Sequence, residues 1–332
     1  MKKLNISAKY PFLDLDYLNQ FSILDWGYTT VSAPLSFNLF EEWVDSGGAG
    51  SLNYLQDHRK NLRKDIKEFF PDFKSSLVFA FSYDDIKREA LPSQCEIAGY
   101  ALGFEGQDYH FWIKEKLELI AERLQAIVPC EYKISLDTHP VLERDLAFRS
   151  GLGWFGKNSM IINPKYGSYF LIESLLLSEK LEIKEAKKII DFCGRCTKCL
   201  EACPTKAITK DRTIIADQCI STFTIEEFKD VEPNWDTELL NNHAFGCDIC
   251  QDVCPWNKSY LRKETLLQHR KKEEKMVKLI GFFNKPIEVT IQYLNEISNR
   301  EYKRFFKGTS FERLGRVGLL KNLKIITKNF LQ

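Results

Sequence analysis

The chain has 332 residues, of which 44% are hydrophobic and 28% are charged, and its formal net charge is +1. These values predict a globular protein with two or three domains. No apolar stretch is long enough to span a membrane. Met1 to Phe12 lack the apolar run of a secretory signal, so we expect a cytoplasmic protein.

The first part of the chain predicts an α/β layer. Residues 16 to 75 are expected to form interrupted helices, followed by a buried strand over the apolar run Ser76 to Tyr83. The clearest helix is expected over Gln107 to Val128, and Tyr132 to Leu136 should form the next strand. The apolar face of that helix should comprise Phe111, Ile113, Leu117, Ile120, Leu124 and Ile127.

Beyond a turn at Asp137, the pattern predicts a helix over Val141 to Ser150 and two strands over Ser159 to Asn163 and Ser168 to Leu177. The charged segment Glu179 to Asp191 should link this first domain to the next. We therefore divide the chain into domains at residues 1–185, 186–258 and 259–332.

The third domain is expected to be helical and basic. Residues 259–332 contain 17 Lys and Arg residues against 7 Asp and Glu residues. This surplus indicates either a polyanionic partner or a solvated helical face. After a basic stretch at Arg262 to Lys278, the expected helices are Val289 to Ile297, Arg300 to Phe306 and Phe311 to Phe330.

Eight cysteines in the middle domain have the spacing of metal ligands. Cys193 begins a C-x2-C-x2-C-x3-C-P run, which is typical of ferredoxins with two [4Fe-4S] clusters. A second run, formed by Cys247, Cys250 and Cys254-Pro255, repeats the second half of that spacing. In such runs the fourth cysteine ligates the other cluster. The spacing therefore predicts one cluster on Cys193, Cys196, Cys199 and Cys254. The second cluster is predicted on Cys203, Cys219, Cys247 and Cys250.

Two structural zinc sites are the alternative, because C-x2-C pairs also bind zinc. The repeated three-residue gap and proline favour iron–sulfur clusters, since this feature orients the cross-ligating sulfur and has no function in a zinc site. Cys95 and Cys130 fit neither site and are expected to be buried apolar residues.

The polar region from Asp137 to Phe170 is the candidate site for chemistry. Asp137 at a strand end has two interpretations: a general acid with a raised pKa, or an N-cap for a helix that starts at Pro140. The spacing alone favours the cap. His139 is expected to pack or support other groups, and Lys157 and Arg144 are candidates for binding anions.

The motifs of this region and of the two cysteine runs resemble those of the epoxyqueuosine reductase family. They are D-T-H-P-V-L-E-R, G-L-G-W-F-G-K-N, Y-G-S-Y-F, C-G-R-C-T-K-C-L-E-A-C-P and F-G-C-D-I-C-Q-D-V-C-P-W-N. The resemblance covers roughly residues 50 to 260. It implies an oxidoreductase that reduces epoxyqueuosine to queuosine at the wobble position of tRNA, with two [4Fe-4S] clusters and cobalamin.

The resemblance also implies a fold and residue roles. The fold is α+β: a reductive-dehalogenase-like cobalamin domain, a ferredoxin-like cluster domain and a basic, HEAT-like helical segment that binds tRNA. Asp137 matches the family's proton donor, which displaces the capping interpretation. Cobalamin is expected base-off, without a histidine on cobalt, in a pocket that includes Arg63, Tyr100, Asp137, Ile161, Ile172, Ser221 and Thr222.

Two other functions are considered. A dehalogenase-like reductase of a small molecule would share the cofactors but does not explain the basic tail. A non-catalytic electron-transfer subunit does not explain the long N-terminal domain or Asp137. The resemblance further implies a monomer that accepts electrons from an unidentified donor.

Overall fold

The structure is a computed structural model that describes residues 9–83, 95–261 and 274–330. Its strands are β1 Ile23–Thr29, β2 Ser75–Ser82, β3 Glu96–Ile97, β4 Tyr132–Ser135, β5 Trp154–Phe155, β6 Ile161–Ile162, β7 Phe170–Leu177 and β8 His243–Phe245. The helices of the first 150 residues are α1 Leu15–Asn19, α2 Phe37–Asp45, α3 Arg59–Leu62, α4 Ile66–Phe69, α5 Tyr109–Gln125 and α6 Glu143–Arg149.

Eight further helices follow in the part of the chain that the structure describes. Short ones lie in the cysteine region and longer ones close the chain. They are α7 Lys198–Ala202, α8 Ile220–Glu226, α9 Ile249–Asp252, α10 Pro255–Leu261, α11 Glu274–Phe283, α12 Ile287–Glu296, α13 Asn299–Phe305 and α14 Phe311–Phe330. The mixture of helices and sheet predicted from the sequence is confirmed. The predicted basic stretch Arg262 to Lys278 lies mostly outside the described residues.

The main sheet has the strand order β1-β2-β7-β4, and every neighbouring pair is antiparallel. The N-terminal layer is therefore an antiparallel α+β unit and lacks the parallel crossovers of a typical α/β layer. All eight residues of β2 are buried, because helices and loops cover both faces of this central strand. In the β2–β7 ladder, Phe79 lies opposite Glu173.

Helix α5 covers one face of the sheet. Asp108 caps its start, since the Asp108 side chain accepts a hydrogen bond from the His110 backbone N–H. Two positions of the predicted apolar face are wrong: Phe111 is 66% exposed and Ile127 is 42% exposed. The side chains that α5 buries are Tyr109, Trp112, Ile113, Leu117, Ile120, Ala121 and Leu124.

Strand β1 was not predicted, because Ile23–Thr29 lies inside the segment assigned to helices. A short apolar run of this kind does not distinguish a strand from a buried helix by its periodicity. Helix α11 was also missed, since its residues overlap the stretch interpreted only as basic. The strand expected over Ser159 to Asn163 is confined to Ile161–Ile162. Ser159 itself has φ +67°, which is not a strand conformation.

A separate core joins the cysteine region to the C-terminal helices. Strand β3 pairs in parallel with β8, and Phe245 of β8 packs on Phe311 of α14 with ring centroids 4.5 Å apart. Asn322 Nδ2 on α14 donates to the backbone carbonyls of Thr224 and Ala244, each at 2.9 Å. Consequently α8, β8 and α14 form one packed unit, although two predicted domains contribute to it.

A buried polar network joins the sheet to the end of the second cysteine run. Asn257 Oδ1 accepts from the Ser168 backbone N–H at 2.6 Å, and the Ser168 hydroxyl bonds to Gln251 Oε1 at 2.9 Å. Gly167, at φ +71°, lies so close that an added Cβ would be 2.0 Å from Asn257 Oδ1. The Y-G-S-Y-F motif therefore serves as a junction between the two regions.

Among the described residues, no helix combines the length and the apolar character needed to cross a membrane. Cys95 is buried as predicted, whereas Cys130 is half-buried.

Candidate functional site

Helix α7 lies within the first run of cysteines and packs on α9, which lies within the second run. The pKa of Cys199 is raised mainly by burial, and the nearby thiols of Cys193 and Cys254 raise it further. Burial likewise raises the pKa of Cys254, and the thiols of Cys193 and Cys196 add to the effect. Cys254 is thus an electrostatic neighbour of the first run, although more than fifty residues separate it from that run.

The remaining four thiols form a second group. Burial raises the pKa of Cys247 to about 12, with contributions from Cys219 and Cys203. Burial also raises the pKa of Cys250, and Cys247 and Cys219 contribute to that shift. Cys199 has a smaller influence on Cys250, so the two groups lie next to each other.

The G-L-G-W-F-G-K-N motif supports the loop that carries the first cysteines. The indole N–H of Trp154 donates to Cys193 Sγ at 3.5 Å. Lys157 Nζ donates to the backbone carbonyls of Gly194 and Cys196, each at 2.8 Å. Lys157, which was a candidate for anion binding, thus holds in place the loop that carries Cys193 and Cys196.

Asp137 lies on the turn after β4 and keeps 41% of its side chain exposed. Its Oδ2 accepts from the Tyr109 hydroxyl at 2.5 Å, and its Oδ1 lies 2.6 Å from His110 Nε2. Burial acts to raise the pKa of Asp137. The hydrogen bond with His110, the positive charge of His110 and the hydrogen bond from Tyr109 outweigh this effect, so the pKa of Asp137 is lowered. Since α6 begins only at Glu143, the capping interpretation is wrong.

His110 is the functional candidate that the sequence analysis missed. Its Nδ1 lies 2.6 Å from Asp108 Oδ1, and its ring stacks on Tyr109 with centroids 4.1 Å apart. Burial opposes the charged form, but the hydrogen bonds to Asp108 and Asp137 raise the pKa of His110 to about 9. The available signal was the D-Y-H triplet, which places titratable side chains on both sides of a tyrosine.

Several charged and phenolic groups face Asp137 from distant parts of the chain. Arg313 pairs with Glu226 at 2.6 Å and contributes to the lowered pKa of Asp137. Burial raises the pKa of Tyr54 to about 12. The charges of Glu226 and Asp137 also raise this pKa, whereas Arg313 lowers it. Burial raises the pKa of the half-buried Tyr100, and the charge of Asp137 adds to that rise. Because these groups alter one another's pKa values, they lie near one another around Asp137, and we refer to this partly exposed set of side chains as the cleft.

Glu173 lies behind Asp137 on β7. Its side chain is almost completely buried, and Oε2 has no hydrogen-bond partner among the described residues. Burial, reinforced by the charges of Asp137 and Glu143, raises the pKa of Glu173 well above its ordinary value. Burial therefore favours the neutral carboxylic acid form of Glu173.

Arg63, which the resemblance implied for the cobalamin pocket, lies near the cleft and influences the pKa of Tyr54. Its side chain is buried, Nη1 is 3.4 Å from the Tyr54 carbonyl, and the guanidinium lies 5.8 Å from the Phe40 ring centroid. Burial lowers the pKa of Arg63, while Glu143 acts in the opposite sense.

Four more residues were predicted for the cobalamin pocket. Ile161 is 2% exposed and Ile172 is half-buried, and both belong to the apolar core beside α6. The backbone N–H groups of Thr222 and Ser221 hydrogen-bond to the thiol of Cys219 and oppose the rise in its pKa that burial produces. These two residues therefore lie at a predicted cluster ligand.

Two family models match the chain. The model described as "4Fe-4S double cluster binding domain" matches residues 192–257, which include all eight cysteines. This match rules in favour of clusters over the zinc alternative. The model described as "Epoxyqueuosine reductase QueG, DUF1730" matches residues 63–138, which end just after Asp137.

Curated relatives and solved structures agree with these matches. The epoxyqueuosine reductase of Leadbetterella byssophila is 37% identical over 288 residues, covering 86% of this chain and 87% of that protein. The Cyclobacterium marinum enzyme is 35% identical over 281 residues, with 82% and 84% covered. A crystal structure of epoxyqueuosine reductase with an epoxyqueuosine-modified tRNA stem loop superposes with a TM-score of 0.73 at 26% identity, covering 95% of this chain and 80% of that one. The chain belongs to the epoxyqueuosine reductase family.

Proposed function

We propose that this chain reduces epoxyqueuosine to queuosine at the wobble position of tRNA, with Asp137 delivering a proton to the departing epoxide oxygen. The observation that supports this most directly is the position of Asp137. A hydrogen-bonded carboxyl group remains 41% exposed in a cleft, in a chain that also carries the double-cluster cysteines.

The two [4Fe-4S] clusters are proposed on the cysteine sets expected from the spacing. The first set is Cys193, Cys196, Cys199 and Cys254, and the second is Cys203, Cys219, Cys247 and Cys250. The electrostatic neighbours of the thiols support this division, and four thiolates per cluster match the usual donor set. Adjacent clusters would pass single electrons toward the Asp137 cleft.

We further propose that the cleft holds cobalamin, base-off and without a histidine on cobalt. The donor chemistry fits, because hydroxyl, guanidinium and carboxyl groups suit the amide side chains and phosphate of that cofactor. When bound, cobalamin supplies a metal that exchanges electrons one at a time. The residues proposed to hold it are Arg63, Tyr100, Asp137, Ile161, Ile172, Ser221 and Thr222.

The basic helical segment 259–332 is proposed to contact the tRNA phosphates, in a HEAT-like arrangement. Arg300, Lys303, Arg304 and Lys307 are all exposed in and just after α13. Cationic side chains gain affinity for nucleic acid by releasing its counterions. We also propose that the protein is a cytoplasmic monomer and that a separate electron donor reduces it. The two domains that precede the basic segment are proposed at residues 1–185 and 186–258.

The decisive experiment uses anaerobically purified full-length chain with reconstituted clusters and cobalamin. It is incubated with dithionite and tRNA that carries epoxyqueuosine, and the nucleosides are then analysed by mass spectrometry. We expect loss of the mass of one oxygen atom. Persistence of the epoxide with spectroscopically intact clusters would reject the function. Turnover of a halogenated phenol without turnover of tRNA would favour the dehalogenase-like alternative.

A further inference from the structure

Four side chains form a continuous hydrogen-bonded row that ends at the cleft. Asp108 Oδ1 lies 2.6 Å from His110 Nδ1, and His110 Nε2 lies 2.6 Å from Asp137 Oδ1. The Tyr109 hydroxyl closes the other side by donating to Asp137 Oδ2 at 2.5 Å. Both ring nitrogens of His110 thus face carboxylate oxygens, which accept hydrogen bonds and cannot donate them when ionised.

We propose that His110 stores the proton for this reaction and supplies it through Asp137, with Asp108 holding the imidazolium in position. This inference rests on the proposed function and deepens it, because it assigns the origin of the proton that Asp137 delivers. His110 does not touch the substrate in this scheme. It is a positioning and proton-supplying residue that acts through Asp137.

The charges around the pair favour a proton on the imidazole in the resting state. Asp108 and Asp137 raise the pKa of His110 to about 9, whereas the pKa of Asp137 is lowered. His139 faces His110 from the β4–α6 turn. The other groups that face Asp137 are Tyr54, Tyr100, Tyr109, Glu143, Glu173, Glu226 and Arg313.

The proton balance of the reaction fits this row. Two carbon–oxygen bonds break, one carbon–carbon π bond forms, and two electrons arrive from the external reductant through the clusters. The oxygen takes up two protons and leaves as water. Each proton passes from His110 to Asp137 and then to the oxygen, and water recharges His110, whose side chain is 21% exposed.

The activity test compares His110→Gln with the wild type in single turnovers of the pre-reduced holoenzyme. Glutamine keeps an N–H donor toward Asp137 but cannot release a proton. We expect a loss of about 10²-fold or more, as for removal of an acid–base group. The wild-type rate should fall above about pH 9, and this fall should be absent from the variant. His58→Gln, which changes an 81% exposed histidine, is the matched control.

A second measurement is independent of turnover. In the full-length chain labelled at histidine, NMR titration should show His110 losing its proton near pH 9, and Asp108→Asn should move that titration toward neutral pH. Absorbance of bound cobalamin and anisotropy of labelled stem-loop RNA should be the same for His110→Gln and wild type.

The outcomes separate this inference from the proposed function. If the wild type leaves epoxyqueuosine unchanged, the function fails and the inference fails with it. If the wild type converts the epoxide and His110→Gln does so within about threefold, with the same pH profile, only the inference is overturned. A His110 titration near pH 6.5 in the NMR experiment would also overturn it.

Discussion

Asp137 illustrates how neighbouring residues set the state of one carboxyl group. Short hydrogen bonds from Tyr109 and His110 occupy both of its oxygens, and they lower its pKa despite partial burial. A resting carboxylate of this kind must first take up a proton before it can donate one. The same contacts therefore fix the orientation of the group and its connection to a proton source.

Asp137→Asn should retain cobalamin and RNA binding but lose about 10²- to 10⁴-fold in the single-turnover rate, because the amide cannot carry the proton. Rapid-quench mass analysis of the nucleosides would measure the rate, and anisotropy would measure RNA binding. A variant with wild-type turnover would remove Asp137 from the mechanism.

Trp154→Phe should make the potential of the cluster proposed on Cys193 more negative by about 40 mV. The substitution removes an N–H···S hydrogen bond of 3.5 Å, and loss of about 1 kcal/mol for the reduced form corresponds to this shift in a one-electron couple. Electron paramagnetic resonance during a redox titration would measure it. Trp256→Phe is the control, because Trp256 packs 5.0 Å from Trp154 in the same aromatic cluster.

His110 should also make folding stability depend on pH. Its folded pKa is about 9, above the ordinary value of 6.5, so its contribution is complete below pH 6.5 and is lost as pH rises toward 9. The difference in free energy of unfolding between wild type and His110→Gln should shrink by about 2–3 kcal/mol over that interval. Urea denaturation at several pH values would test this, and a constant difference would contradict it.

At the scale of elements, α14 contains a break that only glycine tolerates. Gly315 has φ +73° and ψ 169° inside the Phe311–Phe330 helix, which divides that helix into two segments. Gly281, in contrast, lies within α11 with negative φ and open space around its Cβ position. The two glycines therefore have opposite structural requirements.

Gly315→Ala should destabilise the protein by about 1–3 kcal/mol, because its φ of +73° strains any residue with a Cβ. A steric clash should not contribute, since among the described residues no atom beyond the adjoining helix backbone lies within 4 Å of the added Cβ. Gly281→Ala should stabilise it by about 0.4–1 kcal/mol by restricting the unfolded chain. Urea denaturation of both variants would measure the effects. The same sign for both would contradict this explanation.

The sequence predicted elements whose local signals agree with their packing. Helix α5 has a cap, an apolar face and a terminal proline, and the cysteine spacing is set by cluster geometry. Strand β1 was missed because a short apolar run is ambiguous, and its pairing with β2 depends on residues about fifty positions away. His110 was missed because its partner Asp137 is distant in sequence, so only the folded chain shows the pair.

At the scale of the whole molecule, the charge asymmetry predicts how RNA binding responds to salt. Replacing Lys303, Arg304 and Lys307 by alanine should reduce the slope of log affinity against log salt by about 2–3, since each lost phosphate contact releases about one counterion fewer. Anisotropy at several salt concentrations would measure it. A control with the same change in net charge replaces Lys9, Lys74 and Lys114, and an equal effect there would contradict local binding.

The parallel pairing of β3 with β8, and the packing of α14 on β8, also constrain how the protein matures. During translation, β3 leaves the ribosome long before its partner strand, and α14 is made last among the described helices. The second half of the cysteine region therefore completes its packing only after α14 has been made. We expect iron delivery to follow the synthesis of α14, and the nascent chain to need protection of its thiols from oxidation until then.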